Sequence, residues 1–206
     1  MQLAREGIIT PQIQTVADKE LRPVEFIRER VADGRIVIPA NINHKNLVPM
    51  GIGRELLTKI NANIGNSAMS SCPQAEKRKL DQAIRYGADT VMDLSTGGDI
   101  DLIRRSIIDA SPVPVGTVPI YEVVAKYGSD DFNGDVIVDT ILSQAKQGVD
   151  YMTIHPGLLR RHVPADNRDP VREGVRKLVL VFQKARIDFQ VGEQGKQRPQ
   201  IGIVPA

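Results

Sequence analysis

The chain has 206 residues, of which 41% are hydrophobic and 25% charged, and its formal net charge is +2. This composition is typical of a globular domain with its own core. The small net charge argues against nucleic acid or an anionic membrane as the main partner. No apolar run is long enough to span a bilayer, and the N-terminus lacks the apolar stretch of a signal peptide. The sequence therefore predicts a cytoplasmic protein.

Cys72 is the only cysteine, so an intrachain disulfide is excluded. Structural zinc sites and iron–sulfur clusters need several thiolate or imidazole ligands close together. The sequence offers three histidines besides this one thiol and has no CxxC pair. We therefore predict no metal site encoded within the chain.

Residues 1–35 are predicted to form an N-terminal extension. The segment is polar, is interrupted by Pro11 and Pro23, and is predicted to contain a short helix. The spacing of apolar residues over 24–33 predicts a further helix, which ends at Gly34.

Short apolar runs and amphipathic helices alternate over residues 36–163. The predicted strands are Ile36–Pro39, Leu57–Ile60, Asp89–Leu94, Val113–Val118 and Val149–Ile154. The predicted helices are 73–86, 99–110 and 135–147. Such alternation is typical of an α/β protein with a parallel sheet, here with about five strand–helix units.

Two architectures suit this alternation, the doubly wound sheet and the (β/α)₈ barrel. A GxGxxG turn after the first strand is absent, which disfavours the former. A complete barrel needs about 250 residues, so residues 36–163 are predicted to form a partial (β/α)₈ TIM-type barrel. Residues 164–206 are predicted to be a C-terminal helix, capped by Asp169, followed by a loosely ordered tail.

Polar side chains follow each predicted strand, where parallel α/β proteins place their ligand sites. They are Asn41, Asn43 and His44, then Asn61, Asn63, Asn66 and Ser67, then Met92, Asp93, Ser95 and Thr96, then Thr117 and Tyr121, and finally His155. Ordinary turns explain any one of these loops equally well, because Asn and Gly favour turns. Agreement across five strand ends favours a ligand site.

Two of these positions have specific alternatives. The segment from Ser95 to Asp99 (STGGD) precedes a helix, whose free N–H groups bind an anion unless Asp99 caps them. Asp93 and Asp150 have the chemistry of an acid or base, but nothing distinguishes them from other acids. No catalytic residue is predicted.

The same strand ends resemble the phosphomethylpyrimidine synthase family. The matching stretches are AREGIITPQ, GRIVIPANINH, INANIGNSA, YGADTVMDLSTGGDI, SPVPVGTVPIYE and QGVDYMTIHPGLL. The resemblance implies a (β/α)₈ barrel, an aminoimidazole ribonucleotide substrate and a carbon–carbon lyase of thiamine biosynthesis. It also implies radical S-adenosylmethionine (SAM) chemistry with a [4Fe–4S] cluster, and a zinc ion. Close relatives make a benzimidazole from the same substrate, so the product stays open.

Four substrate-binding positions of the family match Asn63, Met92, Tyr121 and His155. The family's three-cysteine cluster motif and metal-binding histidine have no counterpart here, and Asn167–Val175 resembles a much later part of the family. We therefore expect a truncated chain that is inactive alone and forms a homo-oligomer or needs a complementing chain. The alternative is a non-catalytic ribonucleotide-binding remnant or one half of a split enzyme.

Overall fold

The computed structural model describes residues 1–67, 72–127 and 134–154. The helices are α1 (Gln2–Arg5), α2 (Pro11–Glu20), α3 (Val24–Ala32), α4 (Pro73–Arg85), α5 (Ile100–Ala110), α6 (Pro119–Tyr127) and α7 (Gly134–Gln147). The strands are β1 (Ile36–Val37), β2 (Ile52–Gly53), β3 (Asn61–Ile64), β4 (Thr90–Asp93), β5 (Val115–Thr117) and β6 (Tyr151–Met152). The predicted helix at Asp169 and the tail lie outside the described residues. Across the described ranges, no helix is long and apolar enough to cross a membrane.

The N-terminal segment is more structured than the predicted extension. Thr10 caps α2 by accepting a hydrogen bond from the Ile13 N–H, and Pro11 occupies the first helical position, where its missing N–H does no harm. Helices α1 to α3 and strand β1 bury a separate apolar cluster, which consists of Ala4, Ile13, Val16, Ala17, Ile27, Val31 and Ile36. The predicted boundary at residue 35 stays a prediction.

The main sheet is parallel, with the strands in the sequential order β3-β4-β5-β6. This confirms the predicted α/β class. The predicted first strand, Ile36–Pro39, is wrong as a member of that sheet, because β1 pairs antiparallel with β2. After β1 the chain instead crosses the amino ends of β5 and β6, where Asn41 binds the carbonyls of Ala145 and Val149. The described residues thus supply four parallel strands instead of five.

The predicted second strand, Leu57–Ile60, is displaced by four residues. Leu57 is 71% and Ile60 60% exposed, and the observed strand β3 is Asn61–Ile64. In this strand only alternate residues face the core, so its asparagines lie on the opposite face. A search for continuous apolar runs overlooks such a strand.

One face of the sheet packs against helices. Ala62, Ile64, Val91, Val115 and Met152 alternate along their strands and point to this covered face. Apolar residues of α4, α5 and α7 complete the core, including Leu80, Ile103, Ile107, Ile108, Val138 and Ile141. These crossover helices all lie on the same side of the sheet.

Candidate ligand-binding site

The other face of the parallel sheet carries polar side chains. Residues paired in register share a face, so this open face consists of Asn61, Asn63, Thr90, Met92, Gly116 and Tyr151. No helix in the described part of the chain contributes to a core on this side. Parallel sheets are normally covered on both faces. The open face is therefore a surface available to a ligand or to further protein.

Two of the four predicted substrate-binding residues are neighbours on the open face. Asn63 on β3 pairs in register with Met92 on β4, near the carboxyl ends of both strands. Asn63 is exposed and Met92 is half-buried. The Thr153 hydroxyl lies 4.0 Å from the Met92 sulfur. The structure thus brings an amide and a thioether side by side at the edge where α/β proteins bind ligands.

Tyr121 belongs to the first turn of α6, which begins two residues after β5. Its N–H donates to the Val118 carbonyl at 2.9 Å, and the residue is 41% exposed. This position lies at the carboxyl edge of β5. His155 lies outside the described residues. Substrate-binding roles for the four residues therefore stay predictions.

A chain of hydrogen bonds crosses the open face from β6 to β3. The Tyr151 hydroxyl donates to Asn61 Oδ1 at 2.8 Å, and the Thr90 hydroxyl donates to the same oxygen at 3.0 Å. Asn61 Nδ2 in turn donates to Asn63 Oδ1 at 2.9 Å. A Cβ at Gly116 would overlap the Tyr151 ring, so this glycine is what lets the ring lie flat across the sheet.

Tyr151 was missed by the sequence interpretation, which treated it as an ordinary strand residue. Burial raises its pKa above the usual value, so the phenol keeps its proton and remains a donor. The available signal was Gly116, because a glycine inside a strand often marks a close approach of another group.

The polar residues after the first predicted strand (Asn41, Asn43 and His44) were expected at the carboxyl ends of the strands. They lie instead at the amino end of the sheet, which corrects their placement. His44 is buried, its Nδ1 lying 2.7 Å from Asp150 Oδ2 and its Nε2 2.8 Å from the Ser111 carbonyl oxygen. Asp150 also accepts from the Asn41 N–H and the Val115 N–H. This amino-end cluster anchors the segment after β1 to β5 and β6.

These contacts favour the charged form of His44. Burial alone lowers the pKa of an imidazole, but the hydrogen bond and charge of Asp150 and the Ser111 carbonyl outweigh it and raise the pKa of His44. Both ring nitrogens face acceptors, which requires an imidazolium. His44 and Asp150 thus form a buried ion pair that organises the fold.

The loops after β3 and β4 are joined to each other. Asn66 Nδ2 donates to the Gly97 carbonyl at 2.6 Å, and Asp93 Oδ1 accepts from the Ser95 N–H and hydroxyl. Burial raises the pKa of Asp93, against the lowering effect of the Ser95 hydrogen bonds. Asp93 lies on the covered face and is 4% exposed, so its carboxylate points away from the open face.

Asp99 decides between the two hypotheses for the STGGD segment. Its carboxylate accepts a hydrogen bond from the Leu102 N–H at 3.0 Å and so caps α5. The negative charge occupies the place where an anion would bind. The capping interpretation is confirmed.

A buried polar network on the covered face was not predicted. Arg104 is 1% exposed, and its guanidinium contacts Glu122 and donates to Gln147 Oε1 at 2.7 Å. Glu122 also accepts from Gln144, whose Oε1 binds the Thr117 hydroxyl at 2.6 Å. The network ties α5, α6 and α7 to the carboxyl end of β5. Its signal was the position of Arg104 on the apolar stripe of α5.

Comparisons with known proteins show the family of the chain. The model of the radical SAM ThiC family matches residues 1–176. The chain belongs to the radical SAM ThiC family. Proteins named phosphomethylpyrimidine synthase from Natronomonas pharaonis, Halobacterium salinarum and Haloarcula marismortui are similar to it, at 56%, 54% and 54% identity over 80% of this chain. The aligned part covers 35%, 35% and 34% of those relatives.

A radical SAM family implies an iron–sulfur cluster and S-adenosylmethionine. The described residues do not fit the cluster, because they contain no group of three or more His, Cys, Asp or Glu side chains able to hold a metal. The sequence of 206 residues has one thiol, which is fewer than a [4Fe–4S] cluster needs. No chemical step through the cluster can be assigned to these residues.

Proposed function

We propose that this chain forms the part of a phosphomethylpyrimidine synthase that binds aminoimidazole ribonucleotide, the substrate converted to the thiamine pyrimidine. Asn63 and Met92, side by side on the open face, carry the proposal, together with Tyr121 and His155. A ribonucleotide needs polar groups that hydrogen-bond its ribose and the polar atoms of its base. It also needs an apolar surface against which the face of the base can pack. The asparagine and the thioether offer both.

The proposed architecture is a segment of a (β/α)₈ barrel. Sequential parallel strands with their crossover helices on one side are the arrangement of a barrel wall, whereas a doubly wound sheet has helices on both faces. In a barrel wall the open face turns inward. Its polar residues then line the interior near the edge where barrel enzymes bind substrates.

Calorimetric titration of the chain with aminoimidazole ribonucleotide tests the binding proposal. Asn63→Ala is expected to weaken binding about tenfold, the effect of losing one well-placed hydrogen bond. Asn46→Ala is the matched control, because Asn46 is exposed and lies away from the open face. It binds the Asp109 carbonyl near the C-terminal end of α5, and this helix packs on the covered face of the sheet. Absence of binding by the unaltered chain, or equal affinities of both variants, would contradict the proposal.

A second candidate is a ribonucleotide-binding module without radical chemistry of its own, or one half of an enzyme made of two chains. The single thiol favours it. Iron content and visible absorbance after anaerobic reconstitution decide between the candidates. A chain that binds the ribonucleotide but no iron supports the second one, and about four irons per chain would support the first.

A partner chain or a second copy of this chain is part of the proposal. Among the described strands, β3 and β6 each have one neighbour in the sheet, so each presents an unpaired edge. Sedimentation velocity is expected to show a species larger than a 22.7 kDa monomer. A monomer at all concentrations would contradict this part.

A further inference from the structure

We propose that Tyr151 is a positioning residue that acts through Asn61 to fix the side-chain amide of Asn63 with its NH₂ group toward the ligand. This inference rests on the proposed function of the open face and adds the polarity of the contact. Asn63 would then select a hydrogen-bond acceptor of the ligand, such as an unprotonated ring nitrogen or a ribose oxygen.

The direction of the hydrogen bonds starts at the two hydroxyl groups. Asn61 Oδ1 lies 2.8 Å from the Tyr151 hydroxyl and 3.0 Å from the Thr90 hydroxyl. The Tyr151 hydroxyl also lies 3.1 Å from the Val91 carbonyl oxygen, but it has one proton and the shorter contact is to Asn61. A carboxamide oxygen accepts from two hydroxyls at once, so this pair of donors sets which way the Asn61 amide faces.

The orientation of the Asn61 amide then determines that of Asn63, the next residue of β3 on the same face. With its oxygen held, Asn61 directs Nδ2 toward Asn63, where it donates to Oδ1 at 2.9 Å. The opposite orientation of Asn63 would place two NH₂ groups against each other. Asn63 Nδ2 has no acceptor within the described ranges, and the residue is exposed. The group left for a ligand is therefore a donor.

The ring of Tyr151 is fixed by its surroundings. It lies over the backbone of Gly116 and is half-buried. Reaching from β6 across β5 to the Asn61 side chain, which also accepts from Thr90 of β4, requires both a long rigid side chain and a glycine beneath it. The contact is thus built by residues of four strands, which is the precision that an orienting group needs.

A double-mutant cycle separates positioning from plain structural support. Tyr151→Phe removes only the hydroxyl and is expected to weaken binding of aminoimidazole ribonucleotide about threefold to tenfold. In an Asn63→Ala background the same change is expected to have an effect below about 1.5-fold, because its target is gone. Additive effects would overturn the proposal. Tyr86→Phe is the matched control, since Tyr86 is 83% exposed.

A measurement without ligand keeps the relay testable if the proposed function fails. In ¹⁵N spectra of the full chain, Tyr151→Phe is expected to shift the side-chain amide signals of both Asn61 and Asn63, and Tyr86→Phe neither. Unchanged signals in Tyr151→Phe would overturn the relay. Addition of the ribonucleotide is expected to move the Asn63 NH₂ signal most. If the unaltered chain binds no ribonucleotide, the proposed function fails while the amide signals still decide the relay.

Discussion

The two ends of the parallel sheet use similar polar side chains for different purposes. At the amino end, His44, Asp150 and Asn41 are hydrogen-bonded to each other and to the backbone, and His44 and Asp150 are buried. Toward the carboxyl end of the open face, Asn63 is exposed and keeps a donor without a described partner. A polar cluster whose groups are all paired stabilises the fold, whereas one with a group to spare is suited to a ligand.

The largest expected effect tests the closed end. Asp150→Ala leaves the His44 imidazolium and the N–H groups of Asn41 and Val115 without their acceptor, so we expect a loss of about 4 kcal/mol in the free energy of unfolding. Urea titration measures it. Asp81→Ala, an exposed residue of α4, is the control and is expected to change stability by less than about 0.5 kcal/mol. Similar losses of unfolding free energy in Asp150→Ala and Asp81→Ala would show that the polar cluster at the amino end does not stabilise the fold.

The next effect tests how tightly the open face is packed. Gly116→Ala places a methyl group against the Tyr151 ring and is expected to destabilise the fold by about 2 kcal/mol. Combining it with Tyr151→Ala, which removes the ring, is expected to cost less than the sum of the two single changes. Strict additivity in thermal unfolding would show that the ring does not lie over this glycine.

A pH effect distinguishes the charged cluster from the uncharged open face. The pKa of His44 is raised in the folded chain, so its contribution to stability is complete below the pKa of an unfolded histidine, about 6.5. The contribution is lost as the pH rises through the folded pKa. We therefore expect the stability difference between the unaltered chain and His44→Gln to shrink on going to alkaline pH. A difference that stays constant with pH would mean that His44 is neutral when folded.

The smallest effect concerns the open face itself. Asn63→Ala is expected to change the free energy of unfolding by less than about 0.5 kcal/mol, because the side chain is exposed. The same variant is expected to lose ribonucleotide affinity, so stability and binding separate at this residue. A loss of stability comparable to that of Asp150→Ala would assign Asn63 to the fold instead.

Much of the covered half of the molecule could be predicted from local patterns. Helix α4 begins at Pro73 and ends before Gly87, and α5 begins after its cap Asp99, as expected. The strands β4 and β5 lie inside predicted apolar runs. Proline, glycine and capping residues act on their own segment, so their effects can be read without knowledge of the rest of the chain.

The errors arose where a residue's partner is distant in sequence. His44 follows a predicted strand, but its partner Asp150 lies 106 residues later and draws it to the amino end. Strand β3 was not predicted, because its asparagines face the side of the sheet without a helix and so interrupt the apolar run that marks a buried strand. The sequence shows Tyr151 and Gly116 separately, and only their pairing across β5 and β6 reveals the role of each.

The sequence by itself therefore determined the parallel α/β class, the boundaries of α3, α4, α5 and α7 and, through its motifs, the family, whereas α6 was not predicted. The sequence also singled out Asn63 and Met92, because each stands at a substrate-binding position of a family motif that the sequence matches residue by residue. Tertiary structure alone decided which strand ends meet, that Asn63 and Met92 are register neighbours, and that His44 is buried. The reason is physical: burial, pairing and hydrogen-bond direction depend on groups brought together by folding, whereas helix capping and alternation act between near neighbours in the chain.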